Sequence, residues 1–341
     1  MKQKVSLVFL TFILAVVLSA CGATDKNSNA DQAANNTPSN TAEGNGSTGA
    51  GTPETAEPAE LTIKHQLGEA KLKQNPEKVV VFDNGVLDTL DKLGVPVTAV
   101  PKDGLPAYLE KYKADSYENA GGLKEPDFEK VNALKPDVIF ISGRTSEAYE
   151  ELNEIAPTIF MGVDNANYKA SYTENAKILG QIFGKEAEVE AELAKLDESI
   201  AALSSKASAE AASGKKGLIV LTNAGKLSVY GKASRFGLIH DVFGVAPVDE
   251  NIKASTHGDS VTSEYIAEKN PDYLFVVDRD AAVEAEGGET ANKTLENDLI
   301  KKTNAYKNGK IIYLNADYWY LSGGGLASMA EMIKEVDAAF N

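Results

Sequence analysis

Only three arginines occur in the 341 residues, Arg144, Arg235 and Arg279, while lysine supplies the other 31 fixed positive charges. A guanidinium is a planar fork that matches paired anionic oxygens and keeps its charge throughout the physiological pH range. A chain that uses lysine for general surface charge and keeps arginine for three positions points to anion recognition there. Isolated surface ion pairs, worth about 0–1 kcal/mol, give no reason for such economy. Clustered guanidinium groups repel one another when empty, so the implied ligand carries about three negative charges. Each charge-assisted hydrogen bond to it contributes on the order of 1.5–3 kcal/mol. His257, in the polar loop NIKASTHGDSVTSEYI, is a candidate for the same cleft. Tyr318, Trp319 and Tyr320 follow KIIYLNAD and precede SGGG, which reads as a loop whose aromatics stack on a flat ligand. His65, in LTIKHQL, and His240, in FGLIHDVFG, read as structural.

Two of the arginines are related by an internal repeat. PDFEKVNALKPDVIFISGR (126–144) and VTSEYIAEKNPDYLFVVDR (261–279) align at an offset of 135. Glu129 then matches Glu264, Pro136 matches Pro271, Asp137 matches Asp272 and Arg144 matches Arg279. Each copy predicts a short amphipathic helix, stopped by proline, and an apolar strand covered on both faces. An arginine follows the strand's carboxyl end in both copies, the edge at which open α/β sheets bind ligands. Arg235 lies in GKASRFG, at the entry to a helix. A second echo has the same order: the strand KVVVFD leads to LDTLDKLGV, and the strand GLIVL leads, after an insertion, to LIHDVFGV. Two similarities in one order predict a pair of homologous α/β lobes. Between them, residues 168–212 lack proline and repeat Ile178, Ile182, Val189, Leu193, Leu196, Ile200 and Leu203 at helical spacing. This predicts a long connecting helix, interrupted near Gly184 and frayed after Ser204.

The amino end has a different character. Lys2 and Lys4 precede an apolar run, Val5–Leu18, and then Leu-Ser-Ala-Cys21, with Cys21 the only cysteine. Fourteen residues rise about 21 Å as a helix, short of a hydrocarbon core of about 30 Å. The pattern predicts a secretory signal over 1–20 and excludes a disulfide framework. Leu-Ser-Ala-Cys resembles a bacterial lipobox, which implies lipidation of Cys21 and anchoring to the membrane. Residues 21–58, rich in Asn, Thr, Gly, Ala and Ser, predict a flexible tether. The lobes are then expected over 59–167 and 213–341. The chain's net charge is −16 and becomes −18 once Lys2 and Lys4 leave with the leader, which excludes a nucleic-acid binder. No HExxH, nucleophile elbow or P-loop is present, which counts against a secreted enzyme acting on the ligand. Three histidines, two of them structural, do not make a direct zinc or manganese site.

KVVVFDNGVLDTLDKLGV, FEKVNALKPDVIF, SRFG and TNAYKNGKIIYLNADYWYLSGGG resemble the siderophore-binding lipoproteins of ABC importers, in particular the catecholate group that binds petrobactin or enterobactin. The likeness runs from Leu61 to Asn341. It implies a two-lobed solute-binding fold, each lobe a mostly parallel sheet flanked by helices, bridged by one long helix. It implies that Arg144, Arg235 and Arg279 surround an anionic ferric complex. His257 and Tyr318 would complete the iron shell when a siderophore supplies only four donors. Glu129 and Glu264 would engage basic pockets on the permease. The implied cargo is a ferric siderophore with no intrinsic cofactor, and the protein is expected to be a monomer; the long tether suits anchoring on the outer face of a Gram-positive membrane. Haem, cobalamin, ferric hydroxamate and ferric citrate are the alternative cargoes. The acidic loop 281–293, directly after Arg279, is where the chain departs from the family pattern.

Overall fold

Val79-Val80-Val81 and Val138-Ile139-Phe140-Ile141 are apolar at every position, and both runs are buried on each face. Successive side chains on a strand point to opposite sides, so Val79, Val81, Val138 and Phe140 enter one apolar cluster and Val80, Ile139 and Ile141 another. The computed structural model describes residues 59–283 and 290–341. The expected leader, Cys21 and the tether lie outside the described residues, as does the middle of the acidic loop.

The first lobe opens with a hairpin, β1 (Glu60–His65) and β2 (Gly68–Lys73), which packs against β7 (Thr158–Phe160). Its main sheet holds β3 (Val79–Val81), β4 (Ala99–Val100), β5 (Glu118–Asn119), β6 (Val138–Ile141) and β7 in the order β5-β4-β3-β6-β7, all parallel. Helix α1 (Asn84–Lys92) follows β3, α2 (Phe128–Leu134) precedes β6, and α3 (Tyr149–Ile155) precedes β7. The second lobe holds β8 (Gly217–Asn223), β9 (Lys226–Tyr230), β10 (Asp259–Val261), β11 (Tyr273–Asp278) and β12 (Ile311–Leu314) in the order β10-β9-β8-β11-β12. Here β8, β11 and β12 are parallel, and β9 runs antiparallel to both β8 and β10. The inserted strand β9 exists because Ala224 and Gly225 both take positive φ, the geometry of a tight two-residue hairpin. The short helices α6 (Leu238–Asp241), α7 (Ser263–Lys269), α8 (Arg279–Ala282), α9 (Ala291–Leu295) and α10 (Asn304–Lys307) complete this lobe.

The offset of 135 is exact in the structure. Helix α2 and strand β6 superimpose in sequence on α7 and β11, and Lys135 and Asn270 both end their helices in the left-handed conformation. Each stands immediately before proline, which disfavours the right-handed helical region. The aspartate of each Pro-Asp pair then ties its lobe together. Asp137 Oδ2 accepts from Lys78 N at 2.8 Å, and Asp272 Oδ2 accepts from Lys216 N at 3.0 Å.

The connector is two helices, α4 (Tyr168–Phe183) and α5 (Glu186–Ala212), separated at Gly184, whose φ of +59° closes the first. The fraying expected after Ser204 does not occur. Ala207 is buried, Lys206 pairs with Asp337, and Glu210 accepts from the Tyr273 hydroxyl, so contacts from other elements hold the last turns. At 27 residues α5 is about 40 Å long. The final helix, α11 (Leu326–Ala338), leaves the second lobe and packs on α5 and on α1 of the first. One apolar cluster therefore runs through both lobes, and a separate cluster fills the outer face of each sheet. None of the described helices is long and apolar enough to cross a membrane.

Candidate functional site

Between the lobes lies a cleft of about 710 Å³, at the carboxyl ends of the strands. The first lobe lines it with Asp83 after β3, Ser142 to Thr145 after β6, and Phe160 to Val163 at the end of β7. The second lobe contributes Arg235, Phe236, Thr256 and His257. The floor is the segment after β12, a π-helical turn at Asp317–Ser322, which presents Trp319 and Tyr320.

Arg144 sits in the tight loop after β6 and reaches across the cleft to this floor. Its Nη2 donates to the Tyr320 carbonyl at 2.6 Å and its Nη1 to the Leu321 carbonyl at 3.1 Å. Arg235 follows a turn in which Ala233 takes a φ of +54°. Its Nη2 donates to the same Tyr320 carbonyl at 2.8 Å. Its guanidinium lies 4.1 Å from the Tyr320 ring centre and 5.3 Å from that of Phe236. Arg279, the first residue of α8, donates through Nε to the Tyr320 hydroxyl at 3.0 Å and through Nη1 to Asn223 Oδ1 at 3.1 Å. The three arginines therefore meet at one residue.

Asp83 and Glu147 share the cleft with Arg144 and Arg235, and Asp83 attracts Arg144 without forming a close ion pair with it. Among the described residues neither Arg144 nor Arg235 pairs with a carboxylate, and Arg279 approaches Asp280 only to 3.9 Å. Burial lowers the pKa of Arg144, and the Arg235 guanidinium lowers it further, as expected for two cations sharing a desolvated site. Burial by itself would raise the Tyr320 phenol. Arg235 and the hydrogen bond from Arg279 outweigh it and hold the phenol below its ordinary value. Asp83 caps α1 by accepting from Val86 N at 2.8 Å. Burial raises its carboxyl, offset only in part by hydrogen bonds and by Arg144.

Sequence reasoning named six residues for the ligand. Arg144, Arg235, His257 and Trp319 line the cleft, and Arg279 joins it through Tyr320. His257 is exposed at the rim, where its carbonyl accepts from the Tyr230 hydroxyl at 3.0 Å. Trp319 lies in the floor, with its indole N–H bound to Glu335 Oε2 at 2.8 Å. Tyr318 is not among the lining residues. Its ring packs on Tyr108 at 4.9 Å, and Tyr320 is the phenol that faces the arginines. Asp83 and the Phe160–Val163 wall have no signal in the sequence that marks them for the ligand, and Tyr320 is marked there only as one of three aromatics stacking on it, not as the partner of the arginines. Asp83 has a visible capping signal, but nothing local shows that it faces Arg144. His240 is buried with Nδ1 against the Val245 carbonyl at 2.8 Å, and His65 packs edge-on to Tyr149; neither lines the cleft. Glu129 and Glu264 are exposed at the first turns of α2 and α7. Among the described residues no group of three or more His, Cys, Asp or Glu could hold a metal ion.

Residues 79–318 match the family model of a periplasmic binding protein. The chain is 50% identical over 340 residues, 98% of either length, to the petrobactin-binding protein YclQ of Bacillus subtilis (strain 168). Its structure matches the crystal structure of YclQ with a TM-score of 0.79 at 53% identity, covering 83% of this chain and 99% of the other. The siderophore-binding protein BauB, solved with two acinetobactin molecules and ferric iron, matches with a TM-score of 0.75 at 33% identity, covering 83% and 99%. The chain belongs to the periplasmic binding protein family, and it has that family's two-lobed solute-binding fold. It is an extracytoplasmic substrate-binding protein rather than an enzyme.

Proposed function

We propose that this member of the family captures an anionic ferric catecholate siderophore, petrobactin-like in class, and delivers it to an ABC permease for iron uptake. The observation that carries the reading is the meeting of all three arginines of the chain at Tyr320 in one interlobe cleft, two of them without a carboxylate partner among the described residues. A desolvated cation cluster in an acidic molecule binds a compact polyanion and disfavours a neutral ligand. YclQ is named for petrobactin, and BauB was solved with a ferric siderophore complex, both consistent with that charge. Phe160, Met161, Val163 and Phe236 add an apolar wall for aromatic rings. Iron enters as part of the cargo. Where a siderophore leaves two positions on ferric ion open, His257 at the rim and a phenol complete the shell. The geometry favours Tyr320 over Tyr318 for the second.

Glu129 and Glu264, repeat-related and exposed, are the proposed contacts to the permease, and lipidated Cys21 is the proposed anchor of a monomeric protein. Replacing both glutamates with alanine should leave cargo binding intact and abolish uptake by cells. Trp319, the only tryptophan, makes the cargo directly testable. Its fluorescence should be quenched saturably by ferric catecholates and far more weakly by ferric citrate, ferric hydroxamates and haem. Quenching by haem or cobalamin alone would overturn the reading.

A further inference from the structure

Tyr320 uses three different parts of itself on the three arginines. Its carbonyl oxygen accepts from Arg144 at 2.6 Å and from Arg235 at 2.8 Å. Its ring centre lies 4.1 Å from the Arg235 guanidinium, 5.9 Å from that of Arg144 and 6.0 Å from that of Arg279. Its hydroxyl accepts from Arg279 Nε at 3.0 Å. Like charges this close repel one another, and a π-face with a shared carbonyl is the kind of support that keeps them together. The three are not equivalent towards the cleft. Arg144, Arg235 and Tyr320 line it, whereas Arg279 does not. Asn223 and Tyr320 hold Arg279 from two sides, behind the phenol.

A phenol oxygen that accepts from a guanidinium still has its own proton to donate, and the adjacent charge strengthens that donation. We propose that Tyr320 and Arg279 act on the cargo as one unit, in which the Tyr320 hydroxyl donates to an anionic oxygen and Arg279 is a positioning residue that orients and polarises it. The ring and carbonyl of Tyr320 meanwhile hold Arg235 and Arg144 around the same anion. This rests on the functional reading above and deepens it by assigning the third anion contact to a tyrosine instead of an arginine.

A double-mutant cycle tests it, read by Trp319 quenching with a ferric tris-catecholate, whose six donors leave no open position on iron. Tyr320→Phe and Arg279→Gln should each weaken binding about tenfold, and the double variant should be no more than about twofold worse than either. Arg279→Lys, which keeps a charged donor near the phenol, should recover most of the loss. In the Tyr320→Phe background Lys and Gln at position 279 should be indistinguishable, a pattern that a merely structural arginine does not produce. Thermal melts of all variants should coincide within a few degrees. Losses that multiply to about a hundredfold in the double variant would overturn the inference, because they mean two independent contacts. A Tyr320→Phe variant that binds the tris-catecholate normally would also overturn it. Failure of the unmodified protein to bind any ferric catecholate would defeat the functional reading itself, and the inference with it. Additivity with that binding intact sinks the inference alone.

Discussion

Arg235 is the most exposed in role of the three cations, since it lines the cleft between two aromatic rings and has no carboxylate partner among the described residues. Arg235→Ala should weaken ferric catecholate binding at least tenfold, about 1.4 kcal/mol, in the Trp319 titration. Arg235→Lys should recover little, because an ammonium offers neither the planar fork nor the stacking face that the site uses. Tyr320 adds a pH dependence. Its arginine neighbours hold the phenol below the ordinary tyrosine value of about 10. Deprotonation removes a donor and places a negative charge beside an anion. Affinity should therefore fall as pH rises through this lowered value, sooner than an ordinary tyrosine would allow. Dissociation constants measured from neutral to alkaline pH should show the fall, and Tyr320→Phe should flatten it.

At the scale of elements, the helix that follows the floor of the cleft is capped by a carboxylate on the other lobe. Asp88, buried on α1, accepts from Ala327 N and Ser328 N at 2.7 Å each, and so caps α11 from more than two hundred residues away. It also accepts from the Tyr108 hydroxyl at 3.0 Å, while Thr89 Oγ1 accepts from Leu326 N at 3.2 Å. Gly325 is required beside it, since an added Cβ would collide with the Asp88 carboxylate. Asp88→Ala leaves buried N–H groups unpaired and should cost about 2–4 kcal/mol in chemical denaturation. Asp88→Asn keeps one acceptor but turns an amide N–H towards the other backbone donor, so it should recover only part of that loss. Burial raises the Asp88 carboxyl, so the folded protein keeps a proton that the unfolded chain has lost. The stability due to this site is thus greatest in acid and declines as pH rises from about 4 through the folded value. The Asn variant should lack that slope.

At the scale of the whole molecule, a net charge of −16 surrounds a cleft lined by Lys124, Arg144 and Arg235 as well as by Asp83 and Glu147. An approaching trianion is repelled at long range and attracted only near the arginines. Raising ionic strength from 0.01 to 0.15 M shortens the Debye length from about 30 to about 8 Å. Association should then become faster as the long-range repulsion is screened, and dissociation should also become faster as the short-range pairing weakens. Stopped-flow quenching of Trp319 reads both rates. Association that slows with added salt would show that the local cation field outweighs the acidic surface.

Much of this protein can be read along the chain. The repeat at 135 residues, the buried strands and the break at Gly184 are visible because each depends on residue type at short spacing. The three arginines stand out through scarcity, and Arg144 and Arg279 also through their place at strand ends. The choice between Tyr318 and Tyr320 is different in kind. Two residues apart on a helical turn, they face roughly opposite ways, and the sequence contains no local signal that Asp317–Ser322 would wind instead of extend. That turn forms because Arg144, Asn84, Tyr108 and Asp88 of the first lobe hold it or the helix start beyond it. The strands and the scarce arginines were thus written in local pattern. Which phenol meets the guanidinium groups, and how the last helix is tied to the first lobe, were decided by contacts between segments two hundred residues apart, where only packing and desolvation choose.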